Sequence, residues 1–272
     1  MRPEHAQWAC DLVRRRIGMV IDPTNVRVKR ALSALAHELG HASVDSLIDA
    51  ARTRRASIEP ELIAALTNNE TRFFRNPAAF AAVRSEIPRL RELRSGGSLR
   101  VWSAACSSGQ EAYSVAVTLG EAGLDPSQAQ VLGTDASREA VARARRGHYT
   151  ELEAARGLPA SVKTRWFERA DAGWQASEPL RRFTQFRSHN LLHRPAAGSL
   201  YELVMLCNVL IYFDDSTRER ILGHVAGTVT DGGLLGLGPG DPAPPGFVLA
   251  GPPAASLYRR QATRRARVER SA

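Results

Sequence analysis

The sequence predicts an α/β protein with a mostly parallel, Rossmann-like sheet, an N-terminal all-α domain and a small inserted β-subdomain. Three observations lead to this fold class. Before residue 75, apolar residues recur only at helical spacing. From Leu99 onward, short apolar strands alternate with helical patterns, which is typical of a parallel sheet covered by helices on both faces. Between Gly147 and Asn190 this alternation is interrupted.

The N-terminal helices are marked by apolar stripes and by the glycines that follow them. The clearest helix spans Thr24–Leu39, with Gly40 just past its end, and an earlier one stops at Gly18. The apolar residues of the other three helices are Trp8, Leu12, Val13 and Ile17; Leu47, Ile48 and Ala51; and Ile58, Leu62, Ile63 and Leu66. We assign residues 1–75 to this helical domain.

The second domain, residues 76–260, begins with a helix and then alternates strands with helices. The predicted helices are Pro77–Leu93, Gly109–Leu119, Ser137–Arg146 and Ser216–Val229. The predicted strands are Leu99–Trp102, Val131–Gly133, Tyr201–Leu206, Leu234–Leu237 and Val248–Leu249.

An insertion at about residues 150–188 is predicted to lie at the edge of the main sheet. It contains a possible helix, Leu158–Phe167, followed by short β-like pieces around Trp174, Leu180–Phe183 and Phe186. The last residues, from Arg259, are rich in arginine and poor in apolar residues, so we predict a frayed basic tail, which we assign to residues 261–272.

Composition limits the class of protein. The three cysteines are far apart, which excludes a disulfide framework or a cysteine-rich metal site and suits a reducing cytoplasm. The N-terminus is polar and lacks the apolar core of a signal peptide, so we expect a cytoplasmic protein. The net charge is +9, and only Lys29 and Lys163 of the 37 basic residues are lysines. Coding bias or an acidic partner, either nucleic acid or a glutamate-rich protein, would explain this excess.

The run from Arg100 to Ser114 leads from a strand through small residues and Gly109 into a helix. Such a turn lets the backbone approach a ligand closely. With a single glycine and no following lysine, it matches neither a dinucleotide fingerprint nor a P-loop, which indicates a ligand without phosphates. Glu111, in the first helical turn, is either a partner for a cationic amino group or a capping residue.

Two further strands end in polar residues. Asp135, at the end of the second strand, is placed either to accept hydrogen bonds from ribose hydroxyls or to cap the next helix. Asn208 follows the strand Tyr201–Leu206, so it should lie at the carboxyl edge of the sheet, over the cleft.

Taken together, several segments in one order resemble the chemotaxis-receptor glutamate O-methyltransferases, the CheR family. They are Asn69–Arg75 (NETRFFR), Trp102–Ser114, Thr134-Asp135, Asn190–Leu192 and Asn208–Phe213. The resemblance runs from about Trp8 to Arg259. It implies a Rossmann-like, S-adenosylmethionine-dependent methyltransferase sheet, and an enzyme that forms glutamate methyl esters on the cytoplasmic helices of methyl-accepting chemoreceptors during sensory adaptation.

The resemblance also assigns residues. The cofactor S-adenosylmethionine, which leaves as S-adenosylhomocysteine, would be bound by Asn69, Thr71, Arg75, Glu111, Asp135, Asn190, Leu191, Cys207 and Asn208. Arg75, Asn208 and Tyr212 would line the catalytic cleft. No metal is implied.

This chain departs from the family's pattern at three places. Cys207 stands where the family usually has arginine, and Gly238–Asp241 replaces a Gly-His-Ser-Glu run. The insertion is also shorter than in members that grip a receptor's C-terminal peptide, so we do not expect such tethering.

The implied reaction needs no strong general base, because a glutamate of pKa about 4.3 is already ionised at pH 7. Two other functions are compatible with parts of the sequence. A nucleic-acid methyltransferase would carry an Asn-Pro-Pro-Tyr-like loop or a Pro-Cys nucleophile, and Cys207 with Asn208 provides neither. A non-catalytic module that binds cofactor or receptor would be consistent with the departures at Cys207 and Gly238–Asp241.

Overall fold

The computed structural model describes residues 1–53, 55–67, 70–94 and 97–262. Four helices form the N-terminal region: α1 (Pro3–Ile17), α2 (Val26–Glu38), α3 (Val44–Thr53) and α4 (Arg55–Leu66). Their apolar stripes are buried against one another, and Leu32, Leu47, Ile48 and Leu62 are fully enclosed. Gly18 ends α1 in the left-handed conformation (φ 82°), with its N–H donating to the carbonyl of Arg14, as the stop signal predicts.

The rest of the chain alternates helices and strands. The first part contains α5 (Pro77–Glu92), β1 (Leu99–Ala104), α6 (Gln110–Glu121), β2 (Ala129–Asp135) and α7 (Arg138–Arg146). The interrupted part contains β3 (His148–Thr150), α8 (Glu151–Ala155), α9 (Ala160–Trp166), β4 (Phe167–Ala170), β5 (Gly173–Ala176) and α10 (Glu178–Arg182). The last part contains β6 (Thr184–Ser188), β7 (Tyr201–Leu206), α11 (Asp215–Ala226), β8 (Val229–Leu237), β9 (Phe247–Leu249) and β10 (Leu257–Arg260).

The main sheet has seven strands in the order β6-β2-β1-β7-β8-β10-β9. Strands β6, β2, β1, β7 and β8 are parallel, and β10 is antiparallel to both of its neighbours. In chain order, β2 pairs on one side of β1 and β6 lies beyond β2. The next strand, β7, pairs on the other side of β1. This reversal opens a crevice at the carboxyl ends of β1 and β7, which is where ligands bind in sheets of this kind.

Two apolar cores cover the two faces of this sheet. One contains Leu99, Val101 and Leu203 with residues of α5, α6 and the insertion. The other joins Trp102 and Val204 to the apolar stripes of the N-terminal helices and of α11. The N-terminal helices therefore belong to the same packed body as the sheet, and the α/β fold class is confirmed.

Several predicted boundaries are wrong. Leu180–Phe183 is not β-like: α10 runs through Glu178–Arg182, because Ser177 accepts a hydrogen bond from Leu180 N and caps the helix. Phe186 does not belong to the small inserted sheet of β3, β5 and β4, since β6 pairs with β2 in the main sheet.

Two other elements also differ from prediction. The helix expected to reach Val229 ends at Ala226, and Val229 begins β8. Arg259 and Arg260, expected at the start of the tail, lie in β10. Of the predicted tail itself, residues 263–272 lie outside the described residues. Within the part of the chain that the structure describes, no helix is both long and apolar enough to cross a membrane.

Candidate active site

The crevice at the carboxyl ends of β1, β2 and β7 is a cavity of about 1070 Å³, including the solvent at its mouth. The structure brings nearly all of the predicted site residues to it. Its lining includes Thr71, Arg75, Glu111, Asp135, Asn190, Leu191, Cys207, Asn208 and Tyr212. Asn69, the remaining predicted residue, lies outside the described residues.

Glu111 is placed in the cavity by the start of α6, directly after β1. Its carboxylate accepts a hydrogen bond from the Ser103 hydroxyl at 2.7 Å. Desolvation raises the pKa of Glu111 to about 7, although hydrogen bonds from Ser103 and Cys207 and the charge of Arg75 act in the opposite direction. The site therefore holds a carboxylate that is not fully compensated by the protein and that a bound cation would stabilise.

Cys207 explains part of this imbalance. Burial raises the pKa of its thiol well above the ordinary value, and the carboxylate of Glu111 adds to that shift. The side chain is therefore a neutral hydrogen-bond donor to Glu111, where an arginine would bring a positive charge. In this chain, Arg75 is the cation whose charge acts on Glu111.

Asp135 fixes the loop between β1 and α6. One of its carboxylate oxygens accepts from Ser107 N and the other from Ser137 N, each at 2.9 Å. Burial raises the pKa of Asp135, and these backbone hydrogen bonds oppose the shift. The prediction that Asp135 caps α7 is wrong, because the cap is Ser137, whose side chain accepts from Ala140 N. The carboxylate of Asp135 instead lines the cavity and accepts from the backbone N–H of that cap residue.

The loop itself is held in a strained backbone conformation. Ala105 and Ser107 have φ values of 58° and 49°, and Gly109 has 95°. A Cβ on Gly109 would lie 2.9 Å from Ala144 Cβ, so only glycine allows α7 to pack this close. The Tyr149 hydroxyl, from strand β3 of the insertion, donates a hydrogen bond to Ser108 O at 2.8 Å and stabilises the loop.

The segment 70–76 crosses the cavity from the N-terminal side. Phe73 is buried, with its ring centroid 4.8 Å from that of Tyr149 and 5.4 Å from that of Phe167. Phe74 N donates to the Ser114 hydroxyl at 3.0 Å, which ties the segment to α6. These anchors leave Arg75 exposed along the cavity wall, where its guanidinium donates to Glu70 O at 3.0 Å.

Asn208 follows β7 with a φ of 57°, a left-handed conformation that asparagine tolerates better than most residues. Gly238 makes room for it, since a Cβ there would lie 3.0 Å from Asn208 N. Asp241 accepts from Gly238 N at 3.0 Å and so holds this turn. The Gly238–Asp241 run therefore supports Asn208 from behind, although it differs from the family's usual residues.

Asn190 has a structural role that sequence patterns did not reveal. Its side-chain amide donates to Arg16 O at 2.7 Å, and its side-chain oxygen accepts from Leu192 N at 3.1 Å. It therefore joins the sheet to the end of α1, with Leu191 buried beside it. On the opposite wall, Tyr212 O accepts from Val20 N at 2.8 Å, so the N-terminal region is held to the cavity at two points.

Other lining residues were not found from the sequence. Ile17 and Met19, from the end of α1, reach the cavity only because the helical region folds onto the sheet. Ser103 does not line the cavity itself but donates to Glu111, and a polar residue between the apolar Trp102 and Ala104 of β1 is the sequence signal for it.

Comparison with known proteins identifies the family of this chain. A family model described as "CheR methyltransferase, SAM binding domain" matches residues 69–244. Chemotaxis protein methyltransferase 1 of Pseudomonas aeruginosa is 34% identical over 218 residues, which cover 78% of this chain and 80% of that protein. A chemotaxis protein methyltransferase of Vibrio parahaemolyticus is 32% identical over 230 residues, which cover 81% of this chain and 82% of that protein.

A solved structure of the plantazolicin methyltransferase BpumL with SAH covers 77% of this chain and 58% of its own, at 9% identity and a TM-score of 0.37. The family match spans most of the chain and contains the strands and loops that form the cavity. The cofactor of this protein is S-adenosylmethionine. The chain belongs to the CheR methyltransferase family.

Proposed function

We propose that this protein methylates glutamate side chains of bacterial chemoreceptors and forms glutamate methyl esters in sensory adaptation. The observation that carries the proposal is the division of the cavity. Its inner wall presents the carboxylates of Glu111 and Asp135, and its lining also contains Arg75, Asn208 and Tyr212. The two carboxylates suit a cationic ligand with hydroxyl groups. Arg75, with the polar side chains of Asn208 and Tyr212, suits an anionic acceptor. Relatives from two bacterial genera carry the name chemotaxis protein methyltransferase.

The inner wall fits S-adenosylmethionine. Glu111 has no ion pair among the described residues and has a pKa of about 7, so the amino group of the ligand would satisfy a carboxylate that the protein leaves uncompensated. Asp135 keeps free lone pairs for the ribose hydroxyls beside its two backbone hydrogen bonds. Leu191 and Ala136 supply apolar surface for the adenine.

When bound, S-adenosylmethionine supplies a methyl group on a positively charged sulfur. The tasks left to this chain are to orient the acceptor carboxylate, to remove its water and to keep it ionised. Arg75 is suited to the first and third tasks, because a guanidinium binds a carboxylate through two parallel hydrogen bonds and favours its charged form. Asn208 and Tyr212 offer further polar contacts beside it.

The positive charge of the protein supports an acidic acceptor. A net charge of +9 would attract helices rich in glutamate, and this attraction would weaken with salt. Arginines on the N-terminal helices are part of this charge, and we include the outer face of those helices in the proposed contact with receptor. We place the reaction in the cytoplasm, where receptor signalling helices lie, and we expect no grip on a receptor's C-terminal peptide.

The test is transfer of radiolabelled methyl groups from S-adenosylmethionine to purified receptor cytoplasmic fragments from the same organism. Label that is released by alkali would identify methyl esters of glutamate. If no receptor is labelled while calorimetry shows cofactor binding, the protein is a binding module or acts on another acceptor. Label on DNA or RNA would instead support a nucleic-acid methyltransferase.

A further inference from the structure

A second cavity opens beside the cofactor cavity, on the outer side of the segment 70–77. It encloses about 1480 Å³, including solvent at its mouth. Glu70, Thr71, Arg72, Arg75 and Phe80 line both cavities, so the two meet along this segment. The predicted acceptor site at Arg75 lies on their shared wall. Whatever occupies the second cavity therefore lies next to the reacting groups.

The far wall of the second cavity is the loop Arg156–Pro159, between α8 and α9. This loop is docked tightly on the segment that carries Arg75. Gly157 has a φ of 110°, and a Cβ at that position would overlap the carbonyl oxygen of Phe73. Leu158, the next residue, is buried. The position of Arg156 is therefore fixed relative to Arg75 through backbone packing, and not by a flexible loop.

The second cavity combines an apolar floor with a basic rim. Phe74, Phe80, Pro77 and Pro159 supply the apolar surface. Arg72 and Arg156 are exposed at the rim, and within the described ranges no carboxylate forms an ion pair with either of them. Among the described residues, Arg72 donates to the carbonyl of Arg75, at 3.3 Å. Glu70 is the single acid among the lining residues.

We propose that the second cavity receives the stretch of the acceptor protein that flanks the methylated glutamate, and that Arg72 and Arg156 bind carboxylates of that stretch. This inference rests on the proposed function, and it adds the partner chemistry: an acidic, amphipathic helical segment. Residues three or four positions apart lie about 5–6 Å apart on a helix. A helix whose glutamate enters at Arg75 would therefore present its next acidic and apolar residues to the neighbouring cavity.

The test is steady-state methyl transfer to a receptor cytoplasmic fragment with Arg156→Glu and Arg72→Glu. Each change should raise KM for the fragment about tenfold, because a favourable charge contact becomes repulsive. Because Arg156 does not line the cofactor cavity, Arg156→Glu should leave kcat and the calorimetric affinity for S-adenosylmethionine at the wild-type level. Arg156→Lys should restore most of the KM. Arg91→Glu, an exposed arginine on α5 at the opposite edge of the sheet, is the matched control.

A second fragment, in which acidic residues near the target glutamate are replaced by glutamine, separates direct contact from a general charge effect. The wild-type KM should rise for that fragment, and Arg156→Glu should add little further loss, because coupled residues are not additive. Equal KM values for Arg156→Glu and wild type, or full additivity with the glutamine fragment, would overturn the inference. Absence of label with the wild-type protein would instead count against the proposed function itself.

Discussion

The Ser103 hydroxyl donates a hydrogen bond of 2.7 Å to the carboxylate of Glu111, across the turn from β1 into α6. Ser103 is fully buried, and Glu111 lines the cofactor cavity. One hydroxyl and one thiol are weak compensation for a desolvated carboxylate, so the pKa of Glu111 stays near 7. The site is therefore sensitive to pH in the physiological range before any ligand arrives.

We expect the affinity for S-adenosylmethionine to rise with pH between 6 and 7.5. The amino group of the cofactor needs Glu111 ionised, and with a pKa of about 7 most of the carboxyl groups are protonated at pH 6. The affinity should increase by roughly fivefold to tenfold over this range, in proportion to the ionised fraction. Calorimetric titration at several pH values measures it. Glu111→Gln should bind more weakly and show a flat profile; a wild-type slope in that variant would contradict the assignment.

The same group affects stability in the opposite direction. In the folded chain Glu111 keeps its proton up to about pH 7, compared with an ordinary pKa of 4.5. The folded state therefore binds more protons than the unfolded state between these values, and the contribution of this group to the free energy of unfolding falls as pH rises through the window. Thermal unfolding of wild type against Glu111→Gln should show a difference that changes with pH between 4.5 and 7, and that is constant outside it.

Asp135→Asn should weaken cofactor binding by roughly tenfold to a hundredfold, because hydrogen bonds to a charged group contribute about 1.5–3 kcal/mol. The amide keeps an acceptor oxygen for only one of the backbone N–H groups of Ser107 and Ser137, which donate to different carboxylate oxygens, so loss of a loop contact adds to the effect. Asp125→Asn is the matched control. Asp125 also accepts from backbone N–H groups, but it precedes β2 at the opposite end of the strand. Unchanged affinity in Asp135→Asn would exclude the ribose contact.

Arg75→Ala should lower kcat/KM for receptor methylation by roughly a hundredfold or more, because it removes the cation that would orient and stabilise the acceptor carboxylate. Cofactor affinity should fall less. Arg75→Lys should recover part of the rate, since it keeps the charge but not the two-donor geometry. Arg91→Ala serves as the control. If Arg75→Ala leaves both affinity and turnover at wild-type values, the segment 70–76 does not take part in the reaction.

Local signals were enough to predict the elements that form the site. Strand β7 has the predicted bounds, Tyr201–Leu206, because four consecutive apolar residues, Leu203–Leu206, follow Tyr201 and the buried Glu202. Ser137 and Gly147 delimit α7 as a cap and a stop. The carboxyl ends of parallel strands meet at one edge of the sheet, and Glu111 and Asp135, which the resemblance assigns to one cofactor, line the same cavity.

The errors have non-local causes, with one exception. Strand β6 has one buried aromatic residue, Phe186, so its sequence resembles the short strands of the insertion, and only its pairing with β2 reveals the sheet to which it belongs. Arg259 resembles a tail residue until its ion pair with Glu86, at 2.7 Å, is seen. The exception is α10, where Ser177 and a proline in the first turn form an ordinary local signal for the start of a helix.

Gly157→Ala should destabilise the protein and weaken catalysis together. Gly157 has a φ of 110°, and the new methyl group would overlap Phe73 O, two residues before Arg75. Gly123→Ala is a matched control, because Gly123 also has a positive φ, 82°, but has no atom within 4 Å of the added Cβ. In the control, the free energy of unfolding should fall only by the cost of an alanine in the left-handed conformation, about 1–2 kcal/mol.

Gly157→Ala should lower the free energy of unfolding clearly more than Gly123→Ala does, because either the loop 156–159 or the segment that carries Phe73 must move. At roughly 2–4 °C per kcal/mol for a chain of this size, thermal unfolding resolves the difference. Displacement of the segment would also shift Arg75, so methyl transfer should fall in Gly157→Ala and not in Gly123→Ala. Equal losses of stability in the two variants would mean that the loop is not packed on Phe73, and the fixed spacing between Arg156 and Arg75 would then have no basis.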